Sequence, residues 1–155
     1  DYAAAKANAA TLDATDRSYW AYINRAAIQT HREYFAVEQA RQALRNAWSA
    51  FFKDWDIVLC PIAASTAFLH DQNLPRHERT IPVDGTQESY NDQLFWAGLA
   101  TYPYLPSTVF PAGPAENGLP VGLQAIGPYL HDLETIHFAE LLEVEWCGFT
   151  PPSGY

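Results

Sequence analysis

Ser107-Thr108-Val109-Phe110 and Val121-Gly122-Leu123-Gln124-Ala125-Ile126 are the two runs on which the fold turns. β-branched, aromatic and long aliphatic side chains dominate both, a composition that suits a pleated surface and predicts strands. The segment from Gly113 to Gly118 joins them and fits a loose hairpin or a crossover. A third run, Asp56-Ile57-Val58-Leu59-Cys60-Pro61, is short, apolar and closed by a proline. It reads as a strand buried on both faces of a sheet, which calls for helices above and below it.

Upstream of residue 56 the apolar period changes to three or four. Thr30 followed by Glu33 has capping-box spacing, in which hydroxyl and carboxylate each satisfy a backbone N–H that a helix start leaves unpaired. Val37, Ala40, Leu44, Ala47, Trp48, Phe51 and Trp55 then recur at helical spacing, opposite Gln39, Arg41, Gln42, Arg45 and Asn46, and predict a long amphipathic helix. Before it, Thr15 and Asp16 offer N-cap chemistry to a helix displaying Trp20, Ile23 and Ala27 and ending near Gln29. The alanine-rich stretch from Asp1 to Asp13 has high helix propensity and little to bury, so a weakly packed or frayed helix is expected there.

Residues 63–80 are polar and read as a surface excursion. Asp84-Gly85 suits a two-residue hairpin turn, with Pro82 confining that hairpin to a sheet edge. Asp92 to Ala100 predicts a short helix presenting Leu94, Phe95 and Leu99. Asp132 is expected to cap a final helix striped by Leu133, Ile136, Ala139 and Leu142, before Thr150-Pro151-Pro152. With no internal repeat and no long linker, residues 1–155 read as one α/β unit, helical over 1–55 and built of strands and helices over 56–155.

The formal charge of −9, from 9 basic and 18 acidic residues, argues against a nucleic-acid partner, which would want clustered Lys and Arg. No apolar run approaches the roughly 18 residues of a membrane span, so no membrane association is expected. Cys60 and Cys147 make no disulfide framework and no C-x-x-C pair, and a reducing, cytoplasmic setting follows as the expectation. The chain starts at Asp1 and has no methionine, from which we expect it to be the remainder of a longer translation product.

Self-contained chemistry is hard to find. Cys60 sits at the carboxyl end of a strand, where α/β proteins place ligands, but no histidine or cation adjoins it, and a small buried hydrophobe is the reading its surroundings favour. His131, Asp132, Glu134 and His137 form a ligand-like string whose two rings do not share a helix face, and no metal or other cofactor is expected. None of Ser18, Ser49, Ser65, Ser89, Ser107 and Ser153 lies in a G-x-S-x-G setting. The carboxylates of the helices are spaced as solvated faces rather than as a glycosidase pair.

A longer pattern rises above these. Leu105-Pro106-Ser107-Thr108-Val109-Phe110-Pro111-Ala112-Gly113, followed by Gly118-Leu119-Pro120-Val121-Gly122-Leu123-Gln124-Ala125-Ile126-Gly127-Pro128, resembles the C-terminal part of the amidase signature family. Trp48-x-x-Phe51-Phe52-x-x-Trp55-Asp56-Ile57-Val58-Leu59-Cys60-Pro61 is similar to the family's helix-to-strand passage. The resemblance runs from about Tyr19 to Pro152 and covers the last third or so of a typical member.

It implies an α/β/α sandwich with a mixed β-sheet core flanked by helices. It also implies hydrolysis of carboxylic amides through a serine nucleophile, a second serine on a cis peptide bond and a lysine, with a glycine-rich segment supplying oxyanion donors. Those elements belong to the upstream part, so no catalytic residue is assigned here and the chain alone is expected to be inert. Its implied partners are the upstream part of the same protein and a small-molecule amide, and a sheet edge left bare predicts homo-oligomers through strand pairing. Pro61, Ile62 and Ala63 are the residues expected near substrate, followed by Phe95 and Trp96.

Two departures stand out. Thr101, Tyr104, Pro106 and Ser107 occupy positions where members often show Asn-x-x-Gly-x-Pro-Ala, so a phenol replaces a glycine; if Tyr104 fills pocket space, the acceptable substrate is smaller or differently oriented. Cys60 stands where threonine is common. The competing reading is a non-catalytic amidase-like binding or assembly module, which would carry polar residues where a fragment would carry an exposed apolar face.

Overall fold

The computed structural model describes residues 1–151. Three strands make the main sheet: β1 (Val58–Pro61), β4 (Ser107–Pro114) and β5 (Pro120–Ile126), in the order β1-β5-β4 and antiparallel throughout. The glycine-bracketed segment is therefore a hairpin loop rather than a crossover. A bulge between Pro111 and Gly113 offsets the register at its mouth, and Gly113 and Gly118 both sit at positive φ there. A small separate hairpin joins β2 (Thr80–Val83) to β3 (Thr86–Ser89), and Asp84 and Gly85 at φ 48° and 81° make the turn that the Asp-Gly pair predicts.

Because side chains alternate along a strand, the register sorts the main sheet into two faces. Val58, Cys60, Gln124 and Ile126 share one face with Ser107 and Val109; Leu59, Leu123, Ala125, Thr108 and Phe110 share the other. On the first face lie the end of α3 (His31–Phe51) and α4 (Leu94–Thr101), where Ala100, Leu105 and Ile126 form a core with Trp48, Phe52, Val58, Cys60 and Leu99 packed around it. On the second lies α5 (Asp132–Glu145), with Phe138 edge-on to Phe110 at 6.4 Å and Thr135 Oγ1 paired to Thr108 Oγ1 at 2.8 Å. Helices thus cover both sides of the sheet, as an α/β/α layering requires.

β1 departs from the expectation of a strand buried on both faces. Leu59 is 50% exposed, because α5 packs on β4 and β5 and does not reach over β1 at the sheet edge. α5 also departs from its expected stripe. Thr135 is its buried residue, while Leu133 is 80% exposed and Ile136 also faces solvent. The helix is apolar all round, so counting apolar positions chose the wrong side, and a threonine seats it on the sheet through paired hydroxyls. Its N-cap position is His131 rather than Asp132, which is the first helical residue.

The capping box at Thr30 and Glu33 is present as read, and hydrogen bonds from Thr30 hold the Glu33 carboxyl below its usual range. At α2 (Tyr19–Ile28) the N-cap is Ser18, with Thr15 and Asp16 spent on turn hydrogen bonds before it. The stripe there is shifted as well: Ala21 and Asn24 are buried and Ile23 is exposed. Asn24 is the reason, since its side chain accepts from Asn8 at 3.0 Å and donates to the Trp20 carbonyl at 2.8 Å, tying α2 to α1 (Tyr2–Thr11). The alanine-rich helix is thus docked by Ala5 and this amide pair rather than frayed. Short 3₁₀ turns at Arg76–Glu78 and Tyr90–Gln93 shape the excursion, and the second delays the start of α4 from Asp92 to Leu94. Pro152 lies outside the described residues.

Gly127, where β5 turns toward α5, tests this packing. A Cβ there would lie 2.6 Å from Thr135 Cγ2, closer than two carbons can approach, and Thr135 is pinned by its own hydrogen bonds. Gly127→Ala is expected to destabilise the chain by about 1–3 kcal/mol, read as a lower urea midpoint with an unchanged slope.

Candidate functional site

One polar side chain interrupts the apolar face of β5. Gln124, 3% exposed, donates from Nε2 to the carbonyls of Pro61 and Trp96, each at 3.0 Å, and accepts from the Ser107 hydroxyl at 3.0 Å. One amide therefore holds together the end of β1, the first turn of α4 and the start of β4. A second glutamine adds to the clamp, because Gln93 Oε1 accepts from the Ala64 N–H at 3.0 Å while its Nε2 is buried without a partner among the described residues.

Around this clamp the structure gathers part of what the sequence singled out. Pro61, Ile62, Ala63 and Trp96 are brought together, with Ile62 Cγ2 lying over Gly122 of β5. Phe95 meets Trp96 edge-on at 5.2 Å and also lines an open apolar groove of about 410 Å³ bounded by Leu44, Trp48, Leu94, Leu99 and Tyr102. A second groove of about 340 Å³ runs along the other flank of the Leu44–Trp48 ridge, between Phe51 and Val58. Tyr104 belongs to neither: its ring stacks with Arg41 and Arg45 of α3.

Tyr104 has φ 60°, the left-handed region that a glycine enters freely and a tyrosine enters only at a cost. The phenol that replaces a glycine in the sequence pattern has kept the glycine's backbone conformation. Gln124 and Gln93 were not among the residues singled out from the sequence. The signal was a lone amide inside the apolar run Val121 to Ile126, where a polar side chain must find partners.

Cys60 faces this region from β1. Burial pushes its thiol above the ordinary range, only partly offset by a hydrogen bond to Gln124, so it is protonated and poorly nucleophilic at neutral pH. Among the described residues no group of three or more His, Cys, Asp or Glu side chains is placed to hold a metal ion, and no helix is long and apolar enough to cross a membrane.

Known proteins share this arrangement of elements. A family model described as Amidase matches residues 5–136. The chain belongs to the Amidase family. Among curated relatives, a component of the glutamyl-tRNA(Gln) amidotransferase of Wolinella succinogenes, the one designated GatA, is 30% identical over 112 residues, covering 71% of this chain and 22% of that protein. Its counterpart in Brevibacillus brevis is 28% identical over 120 residues, covering 75% of this chain and 21% of its own length. The chain therefore spans about a fifth of the curated relatives it matches.

Solved structures share the fold. A bacterial aryl acylamidase of the amidase signature family superposes with a TM-score of 0.61 at 20% identity, over 86% of this chain and 28% of that one. A crystal structure of an amidase gives 0.63 at 21% identity, over 92% and 32%.

Two outcomes are expected. Gln124→Leu keeps the volume but strips three hydrogen bonds, and a loss of about 2–3 kcal/mol in urea unfolding should accompany faster exchange of the Ala64 amide. In a Cys147→Ser background, alkylation of Cys60 by iodoacetamide should be slower at pH 7.5 than that of a free peptide thiol. Its rate should climb only above the ordinary thiol range, because a raised pKa keeps the thiolate scarce until higher pH.

Proposed function

We propose that this chain is the C-terminal portion of an amide hydrolase, supplying sheet, pocket wall and solvent exclusion to catalytic residues contributed by the upstream part of the same protein. The match of residues 5–136 to the Amidase family carries this reading. The geometry supports it, in that the Gln124 amide fixes the Pro61–Ala63 turn beside Trp96. A wall of this kind must keep its shape while a substrate binds, and a buried, fully bonded amide provides that rigidity.

In this reading a serine attacks the amide carbonyl, a lysine acting through a second serine on a cis peptide bond moves the proton to the departing amine, and water then releases the acid. None of these groups is assigned to the residues described here. Pro61, Ile62, Ala63, Phe95 and Trp96 are proposed to bound the substrate, and Tyr104 to narrow the space from the α3 side. The upstream part is proposed to cover the bare edge of β1 and the apolar residues beside it, and the free cysteines Cys60 and Cys147 suit a reducing cytoplasm. Homo-oligomers would compete for the same bare edge.

The test is release of ammonia or an arylamine from a panel of primary amides and anilides, using the 155-residue chain and a version extended upstream. Turnover by the extended protein alone is the expected outcome. Turnover by the short chain, surviving purification controls, would sink the assignment of the chemistry to upstream residues. Inactivity of both, with a well-folded extended protein, would favour a non-catalytic module.

A further inference from the structure

Four arginines are partly withdrawn from solvent: Arg25, Arg41, Arg45 and Arg79. Three of them donate to oxygen. Arg25 bonds the Asp13 and Asp16 carbonyls, Arg79 bonds the Leu74 carbonyl, and Arg41 bonds Glu38 and the Tyr104 hydroxyl. Arg45 has neither a hydrogen bond nor a carboxylate partner among the described residues, although acidic groups outnumber basic ones 18 to 9.

What Arg45 has instead is aromatic. Its guanidinium lies 4.0 Å over the Tyr129 ring and 5.8 Å from the Tyr104 ring. Stacking covers the face of the ion and leaves its N–H edge unused, and that edge is the part that grips a planar oxyanion through two parallel hydrogen bonds. The two loops presenting these rings hold non-glycine residues at positive φ, Tyr104 itself at 60° and Leu130, next to Tyr129, at 65°. Such strain persists only where the surroundings over-determine the geometry.

We propose that Arg45, held between Tyr104 and Tyr129, is the binding group of a carboxylate site. Charge selects the ligand. Glu38 neutralises Arg41, so the cluster offers one net positive charge within a chain of net charge −9, which matches a monocarboxylate and repels a phosphate dianion. The carboxylate comes either from a free small acid or from an Asp or Glu side chain of a docked polypeptide.

The experiment follows the arginine Nε–Hε and the Tyr129 and Leu130 backbone resonances of the ¹⁵N-labelled chain during titration with sodium acetate, with sodium chloride at matched ionic strength as control. A saturable shift at Arg45, Tyr129 and Leu130 with acetate, in the millimolar range and absent with chloride, is expected. At Tyr129 and Leu130 the half-saturation point should rise at least tenfold in Arg45→Lys and saturation should vanish in Arg45→Gln. Should Arg45→Gln lose the parent circular dichroism, Tyr129→Leu takes its place, since it keeps the cation and removes the ring that orients it; the same weakening is expected.

A parallel titration with Ac-Glu-NH2, controlled by Ac-Gln-NH2, separates the sources. Binding at least tenfold tighter than acetate assigns the carboxylate to a protein side chain, and equal or weaker binding assigns it to a free acid. Shifts from both carboxylates that merely track chloride, or that persist unchanged in the Arg45 or Tyr129 variant, overturn the proposal.

Discussion

The amide of Gln124 is the constraint on which the rest of the sheet region depends. A primary amide inside an apolar strand is tolerated only where its hydrogen-bonding groups find partners, and the partners it finds come from three distant stretches of chain. Satisfying it fixes where β1 ends, where α4 begins and which face of β4 turns inward. Apolar contacts such as Trp48 and Phe52 against Ile126 supply the larger share of the burial, but they are non-directional and would accept several registers. The amide admits one.

The same logic explains what the sequence disclosed and what it concealed. Elements set by local rules were legible: the capping box at Thr30, the Asp-Gly turn, the two strands around Gly113 and Gly118, and the long helix after Thr30. The faces of α2 and α5 were not, because each is seated by a polar residue with a partner elsewhere in the chain. Asn24 needs Asn8, and Thr135 needs Thr108. Periodicity assigns polar residues to solvent and has no means of knowing that two of them will meet. Of the candidate site, the loop after β1 and Trp96 were visible through the family pattern, while the glutamines that hold them were hidden for the same reason as Asn24 and Thr135.

Tyr104 shows how a backbone requirement can outlive the residue that suits it. The turn after α4 runs through φ 60° and closes by hydrogen bonds from the Tyr104 N–H to Thr101 and from the Leu105 N–H to Ala100, the latter at 2.9 Å. Leu105 and Ala100 are both core residues, so the turn cannot relax without opening the core. The strain is therefore held by the core, and the phenol it carries is directed onto the guanidinium groups of α3.

The distribution of apolar surface bears on whether this chain is a module or part of a larger unit. α3 is 21 residues long and none of them is fully buried, although its apolar stripe is continuous; Val37, Leu44 and Phe51 remain exposed along it. Trp55, Leu59 and Val109 extend the uncovered apolar surface onto the loop and the sheet. Burying a large apolar side chain is worth about 1.5–3 kcal/mol, so a row of this length is a substantial fraction of the stability of any small domain. A chain shaped by selection to stand alone would have placed polar residues along that row, as α3 does on its opposite face with Gln39, Gln42 and Asn46. The pattern thus favours a segment whose stability is completed by contacts with more of an amidase domain, and it places those contacts on the side of the sheet where Gln124 holds the Pro61–Ala63 turn.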